Sequence, residues 1–288
     1  MRNVKKNKNY WFALFSLFLF SSSSNANNEF PGRELYLSAP YIEINDLAEK
    51  FDNYQVVDLR SPYEFSILRI KGAKNIPFPS KSFIDDVKKL QKSDQRPIVV
   101  YCNDQNCMKP YQAIMECKQN KIKNIFAYDS SIMDWTHAFP EKTVLHDKTP
   151  VNINKLISKS DFNKRLLQPE KFELDIAEKE PLVLDIRDFN QREGLSLFIG
   201  IENPVNINDQ YTIKKYIEQS NQQNTPLYIY DMAGNQVRWL QYLLERHNAK
   251  SYYFMDGGSS KYFKNMQQQY LHKKITRHLK TGQKIKGT

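Results

Sequence analysis

One cysteine of this 288-residue chain stands where proteins often place a nucleophile. Cys102 directly follows the apolar run at residues 97–101 and precedes a helical-looking stretch from Tyr111 to Gln119. The backbone N–H groups of such a turn and of the following helix N-terminus favour a negatively charged sulfur. The chain has three cysteines in all, and this position therefore predicts thiolate chemistry at Cys102.

The residues after Cys102 form the loop that we expect to contact a substrate. They are Asn103, Asp104, Gln105, Asn106, Cys107, Met108 and Lys109. Asp104 places a negative charge close to the expected thiolate, whereas Lys109 offers a cation that would stabilise it.

Cys107 is open to three interpretations: a small loop residue without a role, a disulfide partner of Cys102, or a metal ligand. The disulfide requires a turn that brings the two Cα atoms within about 7 Å. The metal site would need further ligands, and none is nearby in the sequence. The third cysteine, Cys117, lies inside the predicted helix with Ile114 and is interpreted as a buried apolar residue.

The elements around Cys102 occur twice along the chain. A short apolar strand ends in Asp58-Leu59-Arg60, and a similar strand ends in Asp185-Ile186-Arg187. From Asp58 to Cys102 the separation is 44 residues, and from Asp185 to Asp231 it is 46 residues. A repeat of about 127 residues is too long for a solenoid unit. The sequence therefore predicts two similar domains, in which Asp231 takes the position of Cys102.

Short apolar strands alternate with amphipathic helices in both halves, and the patterns predict strands from Ile98 to Tyr101 and from Leu227 to Tyr230 and helices from Ser80 to Leu90 and from Gln236 to Arg246. This pattern favours an α/β fold in which each domain is a mainly parallel sheet flanked by helices. Ligand sites in such sheets lie beyond the carboxyl ends of the strands, where Cys102 and Asp231 both fall. The predicted divisions are an N-terminal extension (27–40), a first domain (41–140), a linker (141–152), a second domain (153–268) and a basic tail (269–288).

The formal net charge of +10 belongs to the two ends of the chain. Residues 1–26 carry four basic residues and residues 257–288 carry eight, in both cases without an acidic residue. The remaining chain has a net charge of −2 and gives no reason to expect a nucleic-acid partner. In the tail, Leu271, Ile275 and Leu279 follow a helical spacing among basic residues. We interpret the tail as a solvated terminus, with weak contact to a membrane surface as the alternative.

Residues 1–26 are typical of a secretory signal peptide. A basic start is followed by an apolar run at residues 11–20 and by small residues at Ser24 and Ala26. A run of ten residues is too short to span a bilayer as a helix, which argues against an uncleaved anchor. We therefore expect a periplasmic or secreted protein. In an oxidising compartment a reactive thiol must be kept reduced or be recycled by a partner.

The series of motifs resembles a known family. The first half contains Val57-Asp58-Leu59-Arg60-Ser61-Pro62-Tyr63-Glu64-Phe65, Ile70-Lys71-Gly72-Ala73-Lys74-Asn75-Ile76-Pro77, Val99-Val100-Tyr101-Cys102 and Asp134-Trp135. The second half contains Leu184-Asp185-Ile186-Arg187, Ile199-Gly200-Ile201-Glu202-Asn203-Pro204, Tyr228-Ile229-Tyr230-Asp231 and Asp256-Gly257-Gly258. In this order and spacing, the chain resembles the rhodanese (sulfurtransferase) family in its tandem two-domain form, over roughly residues 40–265.

The resemblance implies a mechanism. Cys102, as a thiolate, would take a sulfane sulfur from a donor such as thiosulfate and hold it as a persulfide, and cyanide or a thiol, including a protein thiol, would remove it. The loop at residues 103–109 would bind the donor, with Arg60 as either a further anion contact or a structural residue. Asp58 and Trp135 would be structural. Because the carboxylate of Asp231 cannot carry a persulfide, the second domain would be inactive. No metal or organic cofactor is required.

The loop departs from the family pattern Cys-x-x-Gly-x-Arg, since it has no glycine and Cys107 replaces the arginine. Related phosphatases have an arginine at the position of Met108, and without it no residue is placed to clamp a phosphate. Three functions remain open. They are an exported sulfurtransferase, a thiol–disulfide redox protein that uses Cys102 and Cys107, and a non-catalytic binding module with the same fold.

Overall fold

The computed structural model describes residues 30–192 and 195–281, so the predicted signal peptide at residues 1–26 lies outside the described residues. In the first half, short strands and helices alternate along the chain. They are α1 (Pro31–Leu35), α2 (Ile44–Glu49), β1 (Gln55–Asp58), α3 (Pro62–Ile67), β2 (Leu68–Ile70), β3 (Lys74–Asn75), α4 (Phe83–Ser93), β4 (Ile98–Tyr101), α5 (Lys109–Gln119), β5 (Ile125–Tyr128), α6 (Ile132–Ala138) and β6 (Thr143–Leu145).

Four parallel strands form the sheet of the first half, in the order β3-β1-β4-β5. Every residue of β1 and β4 is buried, as expected for parallel strands that are covered on both faces. From β1 the chain passes to β3 on one side and then to β4 on the other side. The topological switch point therefore lies between β1 and β4, and their carboxyl ends define the edge where a ligand site is expected.

The second half has the same alternation. Its elements are α7 (Lys159–Asn163), β7 (Leu166–Leu167), α8 (Pro169–Lys179), β8 (Leu182–Asp185), α9 (Phe189–Arg192), β9 (Glu202–Pro204), α10 (Gln210–Gln223), β10 (Leu227–Tyr230), α11 (Gln236–Arg246), β11 (Tyr252–Met255) and α12 (Gly258–Thr281).

The second sheet repeats the strand order of the first. Its five parallel strands run β7-β11-β10-β8-β9, so β9-β8-β10-β11 corresponds to β3-β1-β4-β5. The extra strand β7 also has a counterpart, because Tyr41 forms a parallel bridge to Ala127 at the matching edge of the first sheet. The predicted α/β class, with two parallel sheets flanked by helices, is confirmed.

Apolar side chains cover both faces of the first sheet. Val57 and Val100 pack under α4 and α5, where Phe83, Val87 and Leu90 of α4 are the buried residues. Their spacing of three to four residues gives α4 one apolar face. The alternate strand residues face a second cluster, which includes Trp135 and continues into the second half as far as Phe254. The two halves therefore share one of their hydrophobic clusters.

The segments on either side of the first domain fold onto it. In the predicted extension, the guanidinium of Arg33 lies 2.7 Å from the carboxylate of Asp129, and the ring of Tyr36 stacks on Tyr111. In the predicted linker, β6 pairs antiparallel with β2, with Leu145 opposite Leu68. The ordered first half thus extends to Leu145, into the segment that the sequence predicts to be a linker.

The remaining linker residues face α11 of the second half. The hydroxyl of Tyr242 accepts a hydrogen bond from the N–H of Ile157 at 3.1 Å, and its ring lies 6.0 Å from the ring of His146. Between the linker and α11 lies a groove of about 600 Å³, with Lys155 and Arg246 among the lining residues. This groove is separate from the loop that follows Cys102.

The predicted tail begins inside a helix, because α12 runs from Gly258 to Thr281 across the expected boundary at residue 268. Its start is docked, since Asn265 donates to the carboxylate of Glu170 at 2.7 Å. Farther along, Tyr270, Leu271 and Ile275 are exposed. Within the part of the chain that the structure describes, no helix has the length and apolarity needed to cross a membrane. Contact of the tail with a membrane surface stays a prediction.

Candidate active site

Cys102 lies at the switch point of the first sheet. It is the residue after β4, and the carbonyl of the preceding Tyr101 accepts a hydrogen bond from the N–H of Leu59 at 3.0 Å. This bond ties the exit of β4 to the exit of β1, which ends at Asp58. The sulfur-bearing residue is almost enclosed, with 3% of its surface exposed. The position predicted from the sequence is therefore the position at which this fold places ligands.

The sulfur atoms of Cys102 and Cys107 are joined in a disulfide, with the two Cα atoms 6.3 Å apart. Of the three interpretations of Cys107, the structure selects the disulfide. Cys107 is half-buried, whereas Cys102 is buried, so the two residues joined by this bond differ in their exposure to solvent. Among the described residues, no group of three or more histidine, cysteine or acidic side chains is arranged to hold a metal ion.

A tight turn brings Cys107 back to Cys102. The N–H of Cys107 donates to the carbonyl of Asp104 at 3.0 Å, and the N–H of Asn106 donates to the Asp104 carboxylate at 2.9 Å. A carboxylate that bonds its own backbone two residues on is a common turn-forming device. The sequence predicts Asp104 as a residue that binds substrate, and the structure gives its side chain this turn-forming role.

Asn103 fastens the start of the loop to α3. Its amide nitrogen donates to Oε1 of Glu64 at 2.7 Å, and Nη1 of Arg60 lies 3.4 Å from its amide oxygen. Glu64 is itself fixed, because Oε2 accepts from the N–H of Ser61 at 2.9 Å while the Ser61 hydroxyl accepts from the N–H of Glu64. This reciprocal capping box orders the first turn of α3. Sequence analysis missed Glu64, although the pattern Ser-Pro-x-Glu at residues 61–64 carries its signal.

Arg60 is a structural residue in this arrangement. Its side chain is fully buried and forms an ion pair with Asp58 at 2.6 Å, and it also donates to the carbonyl of Leu68. Burial alone would lower the pKa of Arg60, but the adjacent Asp58 carboxylate raises it above its ordinary value. Of the two roles predicted for Arg60, this burial favours the structural one, because the guanidinium has no exposed surface here, and contact with an anionic donor stays a prediction.

A residue of the second half reaches this site. The ring of Trp239 on α11 lies 4.9 Å from the guanidinium of Arg60, in a cation–π contact. Trp239 is 1% exposed, and its indole N–H has no hydrogen-bond partner, so packing and ring contacts hold the ring without a hydrogen bond. The chain Trp239–Arg60–Asn103 thus connects the second half to the residue beside Cys102. Sequence analysis does not single out Trp239, since its partner stands far away in the chain.

The other predicted residues divide between loop and core. Gln105 and Met108 are half-buried in the loop, and Lys109 is the first residue of α5. Trp135 lies in the core, where its ring packs against Phe51, Tyr128 and Phe139 and is fully buried. Cys117 is a free, buried cysteine, and burial raises the pKa of its thiol to about 12.

The equivalent turn of the second half holds a carboxylate. Asp231 follows β10 as Cys102 follows β4, and its side chain accepts hydrogen bonds from the N–H groups of Gly234, Gln236 and Val237. Burial raises the pKa of Asp231, and these N–H groups oppose that rise. Gly258 packs directly against this turn, and a Cβ atom added to Gly258 would lie 2.5 Å from the carbonyl oxygen of Asp231. The turn is therefore a cradle of N–H donors around the residue after the strand.

Comparisons with known proteins find a family similarity within the first half. Residues 43–138 match the family described as Rhodanese-like domain. Comparison with curated proteins gives no match.

Solved structures give weaker similarities. The BH2092 protein from Bacillus halodurans is 18% identical over 46% of this chain and 94% of that chain, with a TM-score of 0.35. A rhodanese-related protein from Thermoplasma volcanium is 25% identical over 34% of this chain and 92% of that chain, with a TM-score of 0.28. Thiosulfate sulfurtransferase from Pseudomonas aeruginosa is 15% identical over 78% of this chain, with a TM-score of 0.38, and the match spans 42% of that protein.

Proposed function

We propose that the protein is a sulfurtransferase in which Cys102 carries the sulfur, and the match of residues 43–138 to the family described as Rhodanese-like domain supports the proposal. The observation that carries the proposal is the position of Cys102 at the switch point, directly after the central strand β4. Sulfur transfer requires a free thiolate, so the active form is the one in which the bond to Cys107 is reduced.

In the proposed reaction, the thiolate of Cys102 attacks the outer sulfur of a donor such as thiosulfate. The new sulfur–sulfur bond gives a persulfide on Cys102, and the old bond breaks with its electron pair leaving on sulfite. An acceptor thiolate or cyanide then attacks the outer sulfur of the persulfide and restores the Cys102 thiolate. Sulfur alone is transferred, and no electrons are exchanged with a cofactor.

The second half supports this assignment by showing that the turn after the strand directs N–H groups at the side chain of its first residue. The carboxyl group of Asp231 accepts hydrogen bonds from the N–H groups three, five and six residues after it. The turn after Cys102 is two residues longer, since α5 begins seven residues after Cys102 and α11 five residues after Asp231, and the N–H groups at the same separations belong to Gln105, Cys107 and Met108, of which that of Cys107 is turned to Asp104 in the disulfide form. We expect the reduced loop to close around the Cys102 sulfur and to stabilise its negative charge, as helix N-termini do for other anions.

The proposed setting is outside the cytoplasm. It rests on the signal-like composition of residues 1–26, and it predicts a cleaved N-terminus in the mature protein. An oxidising compartment would favour the Cys102–Cys107 disulfide, so a thiol partner has to reduce the site before transfer. N-terminal sequencing of the exported protein tests this proposal.

The test of sulfur transfer starts from protein that has been reduced and freed of reductant. With thiosulfate and cyanide, the wild type should form thiocyanate, and with thiosulfate alone Cys107→Ser should gain the mass of one sulfur atom on Cys102. Cys102→Ser should do neither. Cys117→Ala is the matched control, since Cys117 is buried in α5 away from the loop, and this variant should form thiocyanate as the wild type does. The proposal is excluded if the reduced wild type forms no thiocyanate and reduced Cys107→Ser takes up no sulfur from thiosulfate or a low-molecular-weight persulfide.

A second candidate function is thiol–disulfide exchange, and the Cys102–Cys107 disulfide is the observation that favours it. Exchange would use the pair as an electron carrier without sulfane sulfur. Titration of the pair against glutathione redox buffers, with Cys107→Ser as the comparison, measures whether the bond opens within the physiological range. If the cysteine pair neither exchanges with glutathione nor takes up sulfur, the remaining interpretation is the non-catalytic binding module.

A further inference from the structure

The disulfide shows that the sulfur of Cys107 reaches the sulfur of Cys102. In the proposed sulfurtransferase, that Cys102 sulfur is the inner atom of the persulfide. An attack by Cys107 on the inner atom therefore gives the bond seen in the structure and expels the outer sulfur. We propose, on the basis of the proposed function, that the protein is also a persulfide reductase: Cys107 resolves the Cys102 persulfide and releases hydrosulfide.

The step balances without a cofactor. The thiolate of Cys107 forms a bond to the inner sulfur, the bond between the inner and outer sulfurs breaks, and its electron pair leaves on the outer sulfur, which departs with one proton as hydrosulfide. The sulfane sulfur is reduced, and the two cysteines are oxidised to the disulfide. A dithiol reductant must then supply two electrons and two protons to restore both thiols.

The loop is built to deliver Cys107 in this way. The turn from Asp104 to Cys107 is closed by one backbone bond and by the Asp104 carboxylate, which takes the N–H of Asn106. The other end of the loop is held by Asn103, between Glu64 and Arg60. Because both ends are fixed, Cys107 is presented to Cys102 without a large loop movement, and intramolecular attack gains from this proximity.

The difference in exposure between Cys102 and Cys107 indicates which of the two cysteines a reducing thiolate attacks. Cys102 is 3% exposed, whereas Cys107 is half-buried and directly follows the exposed residue Asn106. An incoming thiolate therefore attacks the sulfur of Cys107, and the electron pair of the broken bond leaves on Cys102. The proposed cradle of N–H groups favours that leaving thiolate, since a stabilised thiolate leaves faster. The mixed disulfide forms on Cys107, and the second thiol of a dithiol releases it.

The first experiment uses reduced full-length protein, one equivalent of thiosulfate and no acceptor. The wild type should release close to one equivalent of hydrosulfide and end with the Cys102–Cys107 disulfide in its peptide map. Cys107→Ser should keep the persulfide on Cys102 and release at least tenfold less hydrosulfide, and Cys117→Ala should behave as the wild type. The proposal is overturned if the wild type holds a stable persulfide beside a free Cys107, or if Cys107→Ser releases hydrosulfide at the wild-type rate.

These outcomes separate the inference from the function on which it rests. A wild type that takes up sulfur and retains it contradicts the resolving role of Cys107 and leaves sulfur transfer intact. A wild type and a Cys107→Ser variant that both fail to take up sulfur contradict sulfur transfer itself, and the resolving step is lost with it.

The second experiment tests where reduction begins. The oxidised protein is treated with glutathione and quenched with acid, and the glutathione adduct is located by peptide mapping. The adduct should lie on Cys107, with a free thiol at Cys102. An adduct found mainly on Cys102 would contradict the assigned route, because the more enclosed sulfur would then be the one that is attacked.

Discussion

At the scale of single residues, the two halves carry the same buried ion pair. Arg60 lies with Asp58 at 2.6 Å in the first half, and Arg187 lies with Asp185 at 2.8 Å in the second half, all with almost no exposed side-chain surface. The backbone N–H of each arginine also donates a hydrogen bond to the carboxylate of its partner, at 2.9 Å for Arg60 and 3.0 Å for Arg187. Because the ion pair recurs in the half that has no cysteine, we infer that its role is structural and that it fixes the turn at the end of the strand.

This repetition gives a matched test for Arg60. Arg60→Met should lower the free energy of unfolding by about 3–5 kcal/mol, because it leaves the buried carboxylate of Asp58 without its cationic partner, and Arg187→Met should cost less, because Arg192 lies 3.4 Å from the carboxylate of Asp185. Urea denaturation measures both losses. If Arg60 instead served to bind an anionic donor, Arg60→Met would raise the KM for thiosulfate while its stability stayed close to that of the wild type, unlike Arg187→Met.

At the scale of elements, α11 of the second half acts on the loop of the first half. Trp239 packs over Arg60, and Arg60 lies beside the amide of Asn103. Trp239→Leu should loosen this connection and expose Cys102 in the reduced protein. A desolvated cation–π contact is worth about 2 kcal/mol, and so the alkylation of Cys102 by iodoacetamide should accelerate about tenfold or more.

The control for this prediction is Trp239→Phe, which keeps an aromatic face over the guanidinium and should restore most of the protection. Peptide mapping distinguishes Cys102 from Cys107, whose alkylation already starts from a half-buried position. Equal alkylation of Cys102 in the wild type and in Trp239→Leu would show that α11 packs on the first half without holding its loop.

A second element, α8, is tied to β10 through a carboxylate. Burial alone would raise the pKa of Asp175, but bonds from Lys171, Lys179 and the hydroxyl of Tyr228 hold it well below the ordinary range. A folded-state pKa below the unfolded value means that the carboxylate stabilises the protein at neutral pH. That contribution is lost as the pH falls below about 4, the unfolded value.

We therefore expect the urea midpoint of the wild type to fall steeply on acidification below this value, and Asp175→Asn to show a shallower fall from a lower starting stability. Asp46→Asn is a suitable control, since Asp46 lies exposed in the first turn of α2. Parallel pH curves for the wild type and Asp175→Asn would contradict the assignment.

Sequence reasoning succeeded where the signal was local and continuous. The strands Ile98–Tyr101 and Leu227–Tyr230 and the helix Gln236–Arg246 have the predicted bounds, because apolar runs and helical spacing end at polar turns there. The helix predicted from Ser80 begins only at Phe83, whose N–H first closes a turn onto the Ser80 carbonyl.

The site was predictable only in part. Cys102 could be placed, since its neighbours in sequence define the end of β4. The bond to Cys107 stayed one of three alternatives, because the turn that Asp104 closes is not encoded in the spacing of two cysteines. Trp239 was missed for another reason: its contact with Arg60 depends on how two separate sheets pack, and no local pattern reports that packing.

At the scale of the whole molecule, one hydrophobic cluster joins the two halves. It contains Trp135 and Leu145 from the first half together with Trp239 and Leu240 from the second. A first half without its partner would expose this surface, and each large apolar side chain returned to water costs about 1.5–3 kcal/mol. The two sheets thus repeat one topology along the chain, but because the two halves share this cluster we expect each to depend on the other for its stability.

We expect residues 30–152, expressed alone, to unfold at a lower urea concentration than the whole protein and to show faster alkylation of reduced Cys102. Supplying residues 153–281 as a separate chain should restore both properties, because that chain carries Trp239 and the rest of α11. Truncation after residue 268 is the control, since it removes the exposed end of α12 and leaves the shared cluster whole. An isolated first half as stable as the whole protein would mean that the second half contributes nothing to the Cys102 loop, and the contact between Trp239 and Arg60 would then have no part in holding it.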